Sequence, residues 1–467
     1  MVQPNLFAQV MLFIWVPLGI VLMNQWTALR AGAFLMIGGV LFLPNLITID
    51  LPVLPPLNKY SVVSVAVWLG CLLCKPDVLK VKDIKSRVGI FVLCSMLGAL
   101  LTALTNRDAL QIGPITKQPM GLYDGFVIGL SNIFATALPF YLGHRLVRTA
   151  DDLRYLLKAI IIGSLIYVPL ILIEGRLAPF LHRSVYGYFQ HDWSQTKREG
   201  GFRAFAFMSH ALTVAFYTAQ STMISAGISR LRHKLLPISG KLLSFILFVS
   251  LVACKSMAAL TYAIVGAPIM WFLSAKSILR ASRWLGLIAL TYPFTRLLNL
   301  FPLDWLLEKF IEISPDRAES LAFRFYNESA LLEKAAQRLF FGWGGWGRNR
   351  QFDLDTGANL STVDGQWIIE LGAGGLVGFY LIFGPVLVPI FSASRAVRKL
   401  PAKSDETMLM AITAFYLALV GVDMLPNSMG QPIPLFVAGG LLSVSSRVAQ
   451  GKMSVTGSIP PMKAAAL

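Results

Sequence analysis

Charge is scarce in this chain. Only 14% of its residues are Asp, Glu, Lys or Arg, and its 467 residues include five histidines and four cysteines. That poverty excludes several classes of chemistry. Cys71-x-x-Cys74 has no partners for a redox or metal pair and reads as small apolar filler, as do Cys94 and Cys254. His182 and His191 stand apart in a loop, and no His/Cys/Asp cluster has metal-ligand spacing, so no metal and no cofactor is expected. Gly-x-Ser-x-Gly and Ser/His/Asp patterns are missing, which leaves covalent acyl chemistry unsupported. The run Phe341-Gly342-Trp343-Gly344-Gly345-Trp346-Gly347 lacks the Gly-Lys-Ser/Thr ending of a phosphate loop and reads as a turn with interfacial Trp anchors. Internal repeats of the kind that mark two-fold transporters are absent. Met1-Val2-Gln3-Pro4-Asn5 has no basic stretch of a cleavable signal, so the first span is expected to stay.

Apolar length is what the chain has instead. Hydrophobic residues make up 55% and mean hydropathy is +0.64, more apolar surface than a soluble chain can hide. Runs near the length of a bilayer crossing fall at 7–24, 31–49, 60–74, 88–105, 123–143, 156–174, 205–228, 242–254, 256–274, 284–300, 367–392, 407–424 and 434–446. The fold class expected is an all-α polytopic membrane protein, with 12 or 13 transmembrane helices and one large, partly helical outer loop. A single transmembrane domain covers 1–446, with outer insertions at 175–201 and 301–366, and 447–467 reads as a disordered tail.

The net charge of +17 invites a nucleic-acid reading, which its distribution excludes. With 75–87 facing the cytoplasm and sides alternating from there, the inner segments hold 24 bases and six acids, and the outer segments 17 bases and 18 acids. This is the positive-inside bias of an inserted protein, and it turns 301–366 outward. That block carries ten acids, seven Lys/Arg and eleven aromatics in an otherwise lipid-soluble chain. Leu303 to Ile313 has helical apolar spacing suited to a membrane surface. Ser314-Pro315 starts a helix that can run to Leu339, with Arg317, Arg324 and Arg338 along one stripe. The stripe reads either as a solvated face, with pairs such as Arg324 and Glu328, or as an anion clamp whose forks match phosphate oxygens.

Other polar groups gather toward the same side. Arg203 and His210, at the outer mouth of 205–228, read as interfacial anchors or as two groups aimed into one cavity. Lys255 lies near the outer surface. Arg296 falls within a span and either faces a polar cavity or partner, or snorkels to the interface. Asp364, just outside the span 367–392, is a helix cap or a carboxylate able to take a proton from an attacking hydroxyl; Gln366 and Glu370 follow, and Glu370 can pair with an arginine.

The order of these parts resembles the O-antigen ligase and polymerase superfamily of bacterial envelope glycosyltransferases. Gly375-Leu376-Val377-Gly378 falls on the last glycines of the family's Glu-x-Gly-x-x-Gly. Asp364 then falls on the family histidine, Gly365 on the asparagine after it and Ala373 on the glutamate, with Glu370 three residues earlier. Arg203 to His210 is similar to an Arg-led segment ending in a His-Pro-Asn-like turn, with Ala211 in place of the proline. Arg324 followed by Leu339-Phe340-Phe341-Gly342-Trp343-Gly344 looks like the family's Arg, helix and Pro-Leu-x-Gly-x-Gly, and Lys255-Ser256 stands near its Ser-Arg pair. The resemblance implies sugar-chain transfer from undecaprenyl diphosphate, at the periplasmic face of a bacterial inner membrane, to another lipid-linked glycan or a lipid A-core acceptor. It implies that Arg203 and Arg324, with Lys255, Arg296 or Arg317, stabilise the departing diphosphate and that Asp364 orients or deprotonates the acceptor. His210, Gln366 and Glu370 join them as substrate-binding residues. The rival reading is a flippase or exporter of lipid-linked sugar without transferase activity.

Overall fold

The apolar runs become helices because lipid offers a backbone no hydrogen-bond partner outside its own segment. The computed structural model describes residues 3–52, 54–80, 87–198, 200–231, 237–428 and 430–451, with all side chains but those of Arg87, Ile313, Asp316, Arg317 and Ser320. The expectation for Arg317 lies outside the described side chains. So does the tail beyond residue 451, although 447–449 belong to the last helix.

The elements in order are α1 (Leu6–Gln25), α2 (Ala28–Phe42), α3 (Lys59–Cys74), α4 (Pro76–Leu79), α5 (Arg87–Leu104), the hairpin β1 (Leu110–Ile112) and β2 (Ile115–Lys117), and α6 (Leu122–Asn132). Helix α6 passes through a π turn, Ile133–Ala137, into α7 (Leu138–Leu146). Then come α8 (Ala150–Leu177), α9 (Leu181–Tyr186), the two-residue strands β3 (Lys197–Arg198) and β4 (Gly201–Phe202), α10 (Ala211–Ile228), α11 (Gly240–Ala253), α12 (Met257–Phe272) and α13 (Ala275–Leu297). The chain closes with α14 (Leu303–Ile313), α15 (Pro315–Ala336), α16 (Gln366–Ala396), α17 (Asp405–Asp423) and α18 (Pro432–Ala449). Side chains of Asn5, Thr27, Asn58, Thr149, Ser239, Ser274 and Ser404 each cap the helix that follows by accepting a first-turn N–H.

The molecule is an all-α polytopic membrane protein. Helices α1, α6 with α7, α8, α16, α17 and α18 are long and apolar enough to cross a bilayer, and α2, α3, α5, α11 and α12 are shorter apolar helices. Helix α10 is less apolar because it faces protein rather than lipid: Thr218, Gln220, Ser221, Thr222 and Ser225 are all buried. Together α10, α17 and α18 form the buried centre, with α1, α5, α12 and α13 showing apolar side chains outward. Small residues let neighbours touch. At the α7–α18 crossing a Cβ on Gly143 would sit 1.9 Å from the Phe436 carbonyl oxygen, and one on Gly439 1.9 Å from that of Phe140.

Contacts sort the connections into two ends. At one, Asn5 donates to the Val185 carbonyl, Asn45 and Lys59 donate to that of Phe207, Lys255 donates to that of Arg198 and Arg348 donates to that of Gln118. At the other, Arg145 donates to the Val78 carbonyl, Arg154 pairs with Asp405, Arg230 donates to the Met270 carbonyl and Lys399 donates to that of Ala449. The first is the loop end, which gathers both insertions. The second is the basic end.

Two boundaries differ from the sequence expectation. The span expected at 205–228 begins at Ala211, because the Glu174 carboxylate accepts the Phe205 and Ala206 N–H groups and holds that stretch out of the helix. The helix expected to run to Leu339 ends at Ala336. Arg338 therefore leaves the stripe: its guanidinium bonds the Thr105 carbonyl, the Asn106 side chain and Asp108 at the base of the β1–β2 hairpin.

Candidate functional site

Beneath the large insertion lies a cavity of about 330 Å³. Six stretches converge on it. Asn58, Tyr60 and Ser61 come from the start of α3, and Ser131, Asn132 and Thr136 from the junction of α6 and its π turn. Thr213, Tyr217 and Gln220 come from α10, Gln366 and Glu370 from α16, Tyr416 and Asp423 from α17, and Gln431 from the approach to α18. A π turn widens a helix by one residue and recurs where a helix wall must hold a ligand. Gln366 donates to Glu370 at 2.5 Å, and Asn427 donates to Asp423 at 2.8 Å. The Gln220 amide nitrogen has no hydrogen-bond partner among the described residues. Among the described residues of this lining, Glu370 and Asp423 are the acids and there is no Lys or Arg.

A backbone seam holds α16 in place above this cavity. Helix α16 breaks at Gly375, which has φ 66° and ψ −160°, a conformation open to glycine. The run Leu339–Gly344 lies against the break: Trp343 and Gly344 donate to the carbonyls of Gly372 and Ala373, and Leu376 and Val377 donate to those of Leu339 and Phe340. Groups freed by the break are thereby satisfied, as a broken helix at membrane depth requires. A second crevice, of about 150 Å³, opens beside the seam; Glu370, Asn132 and Thr136 line both spaces.

Arg324 and Asp364 meet as an ion pair of 3.3 Å, each 42% exposed. Asp364 precedes the lining residue Gln366 by two positions and is not the helix cap, which is Gly365. Glu328, expected as a partner of Arg324, instead pairs with Arg296 at 2.7 Å. Tyr292 and Ser329 complete the Arg296 shell, and Trp367 donates to Glu328. Burial pushes the Glu328 carboxyl up, against the pull of Arg296. Arg296 is thus a buried strut tying α15 to α13 and α16, not a free cation. Glu370 bonds Gln366 and meets no arginine.

Arg203, His210 and Lys255 form a separate group. Arg203 is 5% exposed, and its Nε and one Nη have no partner among the described residues. Burial, then Arg198, lowers its pKa to about 10. His210 accepts the Leu212 N–H through Nδ1, caps α10, and bonds Gln195 through Nε2 at 3.1 Å. His191 stacks edge-on against it at 4.5 Å. The Lys255 ammonium lies where Gly201 has no side chain; a Cβ there would be 2.1 Å away. Glu174, Gln190, Asn45 and Lys59 clamp the backbone of 205–208. The structure does not bring Arg203, His210 or Lys255 into the lining of the central cavity. His210 is linked to it through the lining residue Thr213, whose N–H donates to the His210 carbonyl, and its neighbour Ser209 through Tyr60, whose hydroxyl donates to Ser209 at 3.1 Å.

Sequence reasoning missed Asp423, Gln220 and Asn132. An acid at the end of an apolar run is itself a signal. The amides carry none, since an uncharged polar residue inside a span is ordinary. Among the described residues, no group of three His, Cys, Asp or Glu side chains is placed to hold a metal ion. No family model and no curated protein matches the sequence.

Proposed function

We propose that this chain is a glycosyltransferase of the bacterial inner membrane. It would move an oligosaccharide from undecaprenyl diphosphate to a glycan or lipid A-core hydroxyl at the loop end, facing the periplasm. The observation that carries the reading is the cavity lined by carboxylates, amides and tyrosines, with an arginine–aspartate pair two residues from its lining. Such side chains suit sugar hydroxyls. The lining divides the donor: its described residues include no Lys or Arg to hold a diphosphate, so the cavity takes the neutral sugar and the cations outside it take the phosphates. In transfer, the acceptor oxygen attacks the anomeric carbon and gives its proton to Asp364. The bond from that carbon to the diphosphate breaks, and the electron pair leaves with the diphosphate. Arg324, released from Asp364, would meet the charge that develops. Arg203, whose Nε and one Nη have no partner among the described residues, is the second candidate to do so.

Asp364→Asn and Arg324→Ala test the reading. A half-exposed ion pair contributes little to stability, so both variants should stay folded and inserted. Transfer from purified lipid-linked donor should fall by about 10²–10⁴ for the base and about 10²–10³ for the cation. Turnover retained in both removes the assignment.

One observation favours a flippase or exporter: the cavity reaches Gln220, midway along α10, and Tyr416 in α17, deep within the spans. Labelled donor in reconstituted vesicles separates the two. Movement across the bilayer without a new glycosidic bond would support export.

A further inference from the structure

The basic end holds a cavity that sugar transfer does not use. It has a volume of about 360 Å³ and lies between α13 and the end of α16. Lys276, Arg280 and Arg283 line it from one side and Arg398 from the other, and no acid belongs to the lining. Some bases at this end are engaged, as where Arg154 pairs with Asp405, Arg145 bonds the Val78 carbonyl and Arg230 that of Met270, and others, such as Lys241 and Arg395, stand singly without lining this hollow. The four around the hollow make no ion pair or hydrogen bond to another described residue. A positive-inside bias accounts for their sign. It does not account for four cations from two distant stretches lining one hollow that has no acid among its described residues.

The surroundings identify the anion. Continuing along α13 at helical spacing from Arg280, Trp284 is 62% exposed, and Leu287 and Ile288 also face outward. A cationic hollow thus opens directly onto a lipid-facing stripe, with a tryptophan at the boundary. We propose that this cavity seats the headgroup of an anionic phospholipid, its acyl chains lying along Trp284, Leu287 and Ile288. Four cations without a counter-charge suit a headgroup with two phosphates better than one with a single phosphate. The site is independent of the transfer reading.

The test uses the full chain purified in neutral detergent and titrated in native mass spectrometry. The probes are diphosphatidylglycerol, phosphatidylglycerol, phosphatidylcholine and inorganic pyrophosphate. Binding should fall in the order diphosphatidylglycerol, phosphatidylglycerol, phosphatidylcholine, with pyrophosphate a poor competitor. Arg280→Gln with Arg283→Gln should weaken diphosphatidylglycerol binding about fivefold per charge removed. Arg398→Gln alone should show the single-charge effect from the opposite wall. Arg148→Gln with Lys241→Gln removes equal charge from the same end, away from the cavity, and should change binding little. Melting temperatures without lipid confirm that each variant is folded. Equal losses in the two double variants would reduce the attraction to a diffuse one and overturn the site. Equal binding of phosphatidylcholine, or displacement by pyrophosphate at matched concentration, would overturn the lipid.

Discussion

His182 shows how a single side chain holds the loop end. Its Nε2 accepts the Asn45 N–H, so Nδ1 must carry the proton that goes to the Tyr188 carbonyl. Burial lowers its pKa to about 4, and that of His210 to about 3. Both sit below the ordinary value near 6.5, so the folded state binds fewer protons than the unfolded one between those limits. Stability is full above pH 6.5 and falls as pH drops through the window, by ~1.4 kcal/mol per unit for each histidine. Thermal unfolding of the solubilised protein at pH 6.5 and pH 5 should show this loss, and His182→Gln should reduce it. A wild-type midpoint that stays flat over that range would show that these rings are not held neutral.

At the scale of an element, the broken helix α16 does what neither of its halves could do alone. Its first segment carries Gln366 and Glu370 to the cavity, and the whole helix is long and apolar enough to cross a membrane. The seam between them depends on Gly375, where a Cβ would lie 2.3 Å from the Phe340 carbonyl carbon, and on Gly342, where one would lie 2.5 Å from that of Ala373. Gly375→Ala should cost about 3 kcal/mol or more, since left-handed strain and a backbone collision add. Gly374→Ala is the control, because nothing lies within 4 Å of a Cβ there. Calorimetry or dye-based melting would compare them. Equal midpoints for the two variants would refute the seam as the reason for the break.

For the whole molecule, the asymmetry of the two ends governs how it sits in a bilayer. Bases dominate one end, and the other carries the insertions whose acids and bases nearly balance. Tyr326, 77% exposed on α15, marks the loop end, and Lys403, between α16 and α17, marks the basic end. A cysteine in place of Tyr326 should react with a membrane-impermeant maleimide on intact cells, and one in place of Lys403 only after permeabilisation. The opposite pattern would invert the orientation and with it the side on which transfer is proposed.

The amino-acid sequence determined that most of the apolar runs are helices, that a helix starts at Ser314-Pro315, and that another covers Leu303–Ile313. Apolar run length and capping act over a few residues, so they can be read locally. Part of the candidate site was legible for the same reason, since Asp364, Gln366 and Glu370 stand beside a recognisable span. Partnership was not legible. Tertiary packing decided that Arg296 takes Glu328, that Arg324 takes Asp364, and that Arg338 leaves its stripe for Asp108. It also set Glu370 and Asp423 around one cavity and kept Arg203 out of its lining. A buried charge pairs with whichever opposite group the fold brings within a few ångströms, and that distance is a property of the assembled helices rather than of spacing along the chain.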